Sequence, residues 1–202
     1  MKYLPIRRAL LSVTDKSGLV RLASVLDSMQ VEIFSTGGTA GLLRDNGLSV
    51  KDVSSVTGFP EILGGRVKTL HPSIHAGILA DKDNARHLET IDSLGIKAFD
   101  LICVNLYDFA SAVAREADMK EAVEKIDIGG PTLLRAAAKN FHSICVLPHP
   151  DFYGPLVNQL QSSGHVDLDL RRKTAWHTFD LTSKYDQMIA DYFRASIEET
   201  HP

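Results

Sequence analysis

The chain has 202 residues, 44% of them hydrophobic and 23% charged, enough to bury one sizeable core and near the upper end for a single domain. A net charge of -3 and a pI near 6.2 give no broad cationic field, so wholesale nucleic-acid binding is excluded and any polyanion contact must be local. No apolar run approaches a bilayer span, and Arg7 and Arg8 near the start have no apolar core behind them, so a soluble, cytoplasmic protein without a membrane partner is expected.

Short apolar runs alternate with longer helical patterns, which is the signature of a parallel sheet covered by helices, and the fold class is therefore α/β. Residues 9–13 read as a strand, 16–29 as a helix, 31–34 as a second strand and 39–45 as a helix that Gly47 terminates. Residues 48–53 read as a third strand, a glycine-rich segment covers 57–72, and 74–79 reads as a return to the sheet. A helix over 84–94 precedes a strand over 100–105, and a helical region covers 109–125. Residues 143–147 read as a late strand, a helix begins near Asp151, and 170–199 is mostly helical, with Trp176 and Tyr185 expected in the core. No repeat or Pro/Ser-rich linker marks a boundary, so residues 1–202 form one domain. Cys103 and Cys145 each sit inside an apolar run as small hydrophobes, and neither spacing nor compartment suggests a disulfide or a zinc site.

In open α/β sheets, ligands bind where strand ends meet helix starts, because free N–H groups and the helix dipole converge there on negative charge. Three loops fit that place. Ser12-Val13-Thr14-Asp15-Lys16 offers hydroxyls and one amine; Ser35-Thr36-Gly37-Gly38-Thr39 offers hydroxyls and close backbone approach, without the Gly-Lys-Ser/Thr ending of a Walker loop. Gly64-Gly65-Arg66-Val67-Lys68-Thr69-Leu70-His71-Pro72 adds an Arg that can fork two bonds onto phosphate and a Lys that can act on a substrate. Taken singly, each loop is equally a capped turn; all three at one end of a sheet point to a ligand. His71 and His75 have helical i,i+4 spacing, but no Glu follows His71 in the HExxH manner and Pro72 opposes a helix interior, so no metal site is expected.

The most informative stretch is Asp127-Ile128-Gly129-Gly130-Pro131-Thr132-Leu133-Leu134-Arg135-Ala136-Ala137-Ala138-Lys139-Asn140. A proline at a first helical position and a following alanine run predict a helix starting close to Pro131, with free N–H groups facing Gly129 and Gly130. Arg135 and Lys139 share a face and read either as part of a site or as two solvated cations.

These motifs, in this order and together with Thr57-Gly58-Phe59-Pro60-Glu61, Asn105-Leu106-Tyr107, Lys184-Tyr185 and Tyr192-Phe193, resemble the N-terminal IMP cyclohydrolase domain of the bifunctional purine biosynthesis proteins over essentially the whole chain. The resemblance implies a methylglyoxal synthase-like three-layer sandwich with a mostly parallel central sheet. The activity it implies is closure of 5-formamidoimidazole-4-carboxamide ribotide to inosine monophosphate (IMP) and water, with no cofactor and no metal. By the same resemblance, Ser12, Thr14, Asp15, Lys16, Thr36, Gly37, Gly38, Thr39, Arg66, Val67 and Thr69 would hold the nucleotide phosphate. Asn105, Tyr107, Asp127, Ile128, Gly129, Gly130, Lys68 and Lys139 would surround the base, with Lys68, Tyr107, Asp127 and Lys139 as the catalytic set. Asp108 stands where relatives commonly have proline, and the transformylase domain that follows in the bifunctional proteins is absent. A separate transformylase would then supply the substrate, or the chain is a fragment; a homodimer is an open expectation. A regulatory nucleotide-binding module of the same fold is the alternative, and it would need the phosphate loops but not Tyr107, Asp127 and Lys139.

Overall fold

The computed structural model describes residues 1–107, 109 and 118–200. Strand β1 (Tyr3–Leu4) precedes β2 (Arg8–Ser12), after which helix α1 (Leu19–Ser28), β3 (Glu32–Ser35), α2 (Gly37–Asp45) and β4 (Val50–Asp52) build two right-moving βα units. A short α3 (Ser54–Thr57) leads through a 3-10 turn at Leu63–Gly65 into α4 (Pro72–Leu79) and α5 (Ala85–Ser93). Then come β5 (Leu101–Val104), α6 (Met119–Glu124), α7 (Gly129–Lys139), β6 (Cys145–Leu147), α8 (Tyr153–Ser163), β7 (Val166–Asp167) and the long α9 (Leu168–Thr200).

Among the described residues the main sheet has five strands in the order β4-β3-β2-β5-β6, every pair parallel. Both of its faces are buried, and the side-chain period of two divides each strand between two cores. Ala9, Leu11, Leu101, Cys103, Cys145 and Leu147 point to one core, which α1, α2 and α8 cover with Leu19, Leu22, Leu26, Leu43, Leu156 and Leu160. Leu10, Ile102, Val104 and Val146 point to the other, covered by Ile74 and Ile78 of α4, Leu133, Leu134 and Ala137 of α7, and Ala175 of α9. The result is the α/β fold expected from the alternating pattern, in the three-layer arrangement that the resemblance implied. Burial pushes the Cys103 and Cys145 thiols up to about 12, so both remain protonated hydrophobes.

Three expectations are corrected. Residues 74–79 are not a strand: Pro72 sits at the start of α4, and the His71 Nδ1 accepts the Ser73 N–H at 3.2 Å as an N-cap, so the apolar run Ile74 to Leu79 packs as a buried helix. Short apolar runs carry no period that separates these two outcomes. Helix α7 begins at Gly129, close to Pro131 as expected, but the Gly130 N–H is not free: the Asp127 carboxylate caps it. Trp176 is 62% exposed on α9, whereas Tyr185 is buried as expected. Of the predicted 109–125 helix, Met119–Glu124 is helical, and 110–117, like Asp108, lie outside the described residues. The antiparallel pair β1–β7 had no sequence signal, being two residues long in each strand.

One buried cation ties the ends of the fold together. Arg171 of α9 is fully enclosed, and its guanidinium donates to the carbonyls of Phe141 and His142 beyond α7, of Met1 and Lys2 at the start of the chain, and of Asp167. Arg171→Leu would strand these acceptors without donors, at about 1–3 kcal/mol for each that stays dry. A loss of at least about 3 kcal/mol is expected in urea unfolding. A change below about 1 kcal/mol would show that water replaces the guanidinium.

Candidate active site

The site stands at the carboxyl ends of the strands, where β2 leads outward to β3 in one direction and the chain later returns to β5 in the other. Asn105, just past β5, brackets this divide: its Oδ1 accepts the N–H groups of Thr14 and Asp15 at 2.6 and 3.0 Å, and its Nδ2 donates to the Asp15 carbonyl at 3.0 Å. The turn after β2 is held from its other side by Thr39, whose hydroxyl accepts the Val13 N–H and donates to the Val13 carbonyl. A cavity of about 690 Å³, in the range of small-molecule sites, opens above these turns.

Most of the expected residues border this cavity: Ser12, Thr14, Lys16, Thr36, Gly37, Gly38, Thr39, Arg66, Lys68, Thr69, Asn105, Tyr107, Asp127, Ile128, Gly129 and Gly130. The first turn of α2 has no side-chain cap, so its N–H groups remain free for an anion, beside a Ser12–Thr36 hydroxyl pair 3.3 Å apart. Lys16, Arg66 and Lys68 supply the charge. Gly65, at φ 94°, adopts a left-handed conformation, and a Cβ there would lie 2.7 Å from the Glu61 carboxylate, so the turn that presents Arg66 and Lys68 requires glycine.

Three expected residues stand elsewhere. Asp15 turns its carboxylate away to the Ser17 N–H and hydroxyl, which lower its pKa, and does not border the cavity. Val67 is spent in a bridge to Ile62 that closes the loop beneath Arg66. Lys139 occupies the exposed last turn of α7, ten residues beyond Gly129 and so about 15 Å along the axis, and is outside the lining. Its partner in the sequence pattern, Arg135, stacks its guanidinium 5.6 Å from the Phe179 ring on the same outer side. The resemblance put Lys68 and Lys139 in one set; the helix axis separates Lys139 from the cavity that Lys68 borders.

The 123–126 segment was missed. Val123, Glu124, Lys125 and Ile126 border the cavity, and Glu124 forms an ion pair with Arg66 across its mouth. Their alternation of apolar and charged residues reads as an ordinary amphipathic helix end, so only the fold reveals that it faces the phosphate loop.

Asp127 is the focus of the electrostatics. Burial raises its carboxyl above the usual range, against the opposing pull of the Gly130 N–H at 2.8 Å, the Lys68 charge and the Tyr107 backbone N–H. A Cβ on Gly130 would fall 2.2 Å from Asp127 Oδ2, so this carboxylate lies flat against the helix start and only glycine admits it. Among the described residues no group of three or more His, Cys, Asp or Glu could hold a metal ion. No described helix is long and apolar enough to cross a membrane.

Residues 18–132 match the model of the MGS-like domain family and residues 137–202 that of the AICARFT/IMPCHase bienzyme. The chain belongs to the MGS-like domain family. It is 48% identical, over 96% of its own length, to the bifunctional purine biosynthesis protein PurH of Acetivibrio thermocellus, 51% over 94% to that of Cutibacterium acnes, and 46% over 98% to that of Bacillus subtilis. It spans only 36% to 39% of the length of these relatives. A solved structure titled crystal structure of ForH superposes with a TM-score of 0.82 at 34% identity, covering 94% of this chain and 98% of that one.

Two tests follow from this geometry. Both members of the Arg66–Glu124 pair are exposed, so Glu124→Gln frees Arg66 at little cost, and affinity for inorganic phosphate is expected to rise by about two- to fivefold at low salt and to converge with wild type at high salt. Weaker phosphate binding in the variant would show that Glu124 orients Arg66 rather than competing for it. Asp127→Asn keeps an oxygen to cap Gly130 while removing a buried charge. Because the folded carboxyl is raised, wild type carries its penalty at neutral pH and sheds it as pH falls through the raised value towards the ordinary carboxylate pKa. The Tm of Asp127→Asn is therefore expected to equal or exceed wild type at neutral pH, with the gap closing in acid.

Proposed function

We propose that this domain is an IMP cyclohydrolase: it closes the ring of 5-formamidoimidazole-4-carboxamide ribotide to give IMP and water. The observation that carries this reading is the desolvated Asp127 carboxylate, bordering the same cavity as Lys68, Tyr107 and a set of phosphate-type loops. A phosphate-sensing module has use for the loops but none for a carboxylate kept out of water at its own energetic cost.

A carboxamide nitrogen is a poor nucleophile, so its attack on the neighbouring formyl carbon needs positioning, proton removal and stabilisation of the developing oxyanion. The reaction is intramolecular, and anchoring the 5′-phosphate on Ser12, Thr36, the free N–H groups of α2, Lys16 and Arg66 fixes the remaining freedom. In our reading Asp127, with Tyr107 at the rim, orients the amide and takes its proton. A raised pKa suits this, because the group can then return the proton later in the cycle. The nitrogen–carbon bond forms as the amide proton taken by Asp127 is passed to the formyl oxygen, which becomes a hydroxyl; Lys68 then protonates that hydroxyl as its C–O bond breaks and water leaves, and the proton lost from the former formamide nitrogen as the C=N bond forms restores Lys68. Residues 1–202 act as one unit in this scheme, with no cofactor step. The substrate is supplied by formyl transfer, either on a separate chain or on a further domain of the kind the bifunctional relatives carry.

The test is a cofactor-free absorbance assay with the formylated ribotide. Wild type is expected to produce IMP, and Lys68→Met and Asp127→Asn to lose about 10²- to 10⁴-fold in kcat, the range for a positioned acid or base. Lys139→Met probes the exposed helix end separately: a loss as deep as that of Lys68→Met would return the proton-donor role to it. Tight nucleotide binding without turnover in wild type would favour the regulatory module.

A further inference from the structure

Tyr185 lies near the middle of α9, 58 residues from Asp127, and nothing in the sequence pattern places the two in contact. Its ring is 5% exposed, packed with Phe109, Ala122 and Ile189 and edge-on to Phe109 at 6.4 Å. Its hydroxyl accepts the Asp127 backbone N–H at 2.8 Å and donates to the Lys125 carbonyl at 3.4 Å. One phenol thus holds both ends of the 125–127 segment against α9. A phenylalanine would fill the same volume, so packing alone does not require the oxygen. The other hydrogen bonds to Asp127, from the Gly130 and Tyr107 N–H groups, fall on its carboxylate, the group that must be free to exchange a proton.

We propose that Tyr185 is a positioning residue that holds the Asp127 carboxylate in its desolvated place from behind the site, an inference that rests on the reading of Asp127 as the acid–base group of the ring closure. The division of tasks is physical. If Asp127 relied on its own cap for placement, proton uptake would weaken the Gly130 bond and release the carboxyl in mid-reaction. A second hold through the backbone keeps it in place in both protonation states. Burial and the nearby Asp127 and Asp186 charges raise the Tyr185 phenol, so it keeps the proton that it donates to Lys125. The groups that face Asp127 are Lys68 from the phosphate loop, Tyr107 from the segment after β5, Tyr185 from α9 and the Gly130 N–H of α7, with Glu124 and Lys125 just before it in the lining.

The experiment compares wild type, Tyr185→Phe and Ile189→Val, which trims the same packing cluster without touching the hydrogen bonds. Each full-length chain is assayed for kcat and KM with the formylated ribotide across pH, and for amide hydrogen exchange at Asp127. Tyr185→Phe is expected to lower kcat by about 10- to 100-fold, the scale of a small misplacement at a reacting group, with KM within about twofold because the phosphate loops are untouched. The acid limb of the kcat profile should move to lower pH, since a loosened carboxylate regains water, and the Asp127 amide should exchange at least about tenfold faster. Ile189→Val should change neither. Unchanged kcat, pH limb and exchange in Tyr185→Phe would overturn the proposal, as would equal effects in Ile189→Val. If wild type itself does not turn over, the cyclohydrolase reading fails, and Asp127 exchange in the two variants still decides whether the phenol holds the segment. Should Tyr185→Phe not fold, 3-fluorotyrosine at position 185 keeps ring and hydroxyl while weakening the oxygen as an acceptor. A smaller shift in the same readouts supports the hold, and none overturns it.

Discussion

Everything in the site depends on the bracket that Asn105 places across the divide between β2 and β5. Parallel strands that part in opposite directions leave a crevice at their carboxyl ends, and backbone N–H groups in a crevice satisfy themselves with water unless something orders them. One amide side chain takes two of those N–H groups from the turn after β2 and returns a bond to the same turn. With Thr39 holding Val13 from the other side, that turn is fixed from both flanks. The phosphate loops can then be short and rich in glycine, because their geometry is set by neighbours rather than by their own stiffness.

That arrangement changes what the polar residues near the cavity mean. Ser35 donates to the Leu11 carbonyl and Thr39 bonds both the N–H and the carbonyl of Val13, so these hydroxyls hold the turns that frame the cavity. In the proposed scheme the phosphate falls to other groups at the cavity: the N–H groups of α2, the Ser12–Thr36 pair and the cations. Arg66 is the partial exception, because it already has a carboxylate in Glu124, and a phosphate must displace it. Such exchange on an exposed pair is inexpensive, and it keeps the guanidinium at the mouth rather than folded back on the surface.

The sequence made the sheet legible because both faces are buried, which turns its strands into apolar runs that stand out between helical patterns. It made the loops legible because glycine and hydroxyl clusters at strand ends have few other uses. Residues 74–79 failed for the opposite reason: five apolar or small residues around His75 fit a buried helix as well as a strand, and the His71 cap and Pro72 decide between them. Lys139 stands apart from the cavity lining because a motif is contiguous in sequence while a helix carries its far end away. Val123 to Ile126 and Tyr185 were hidden because their role comes from distant contacts, with Arg66 in one case and Asp127 in the other.

The two family matches meet inside α7, one ending at residue 132 and the other beginning at 137, and the helix divides in the same way. Its first turn carries Gly129 and Gly130 at the cavity, whereas its far end is anchored through the Phe141 and His142 carbonyls by Arg171. Among the described residues, those that line the cavity run from Ser12 to Leu133. Described residues of the later part of the chain support the site from behind, through Arg171 at one end of α7 and through Tyr185 at the Asp127 segment ahead of the other. A carboxylate that must stay desolvated cannot be held by solvent-exposed loops alone. The long α9 supplies rigid backing that the loops around the cavity lack, which gives a physical reason for the front of the site and its support to be kept together in one chain.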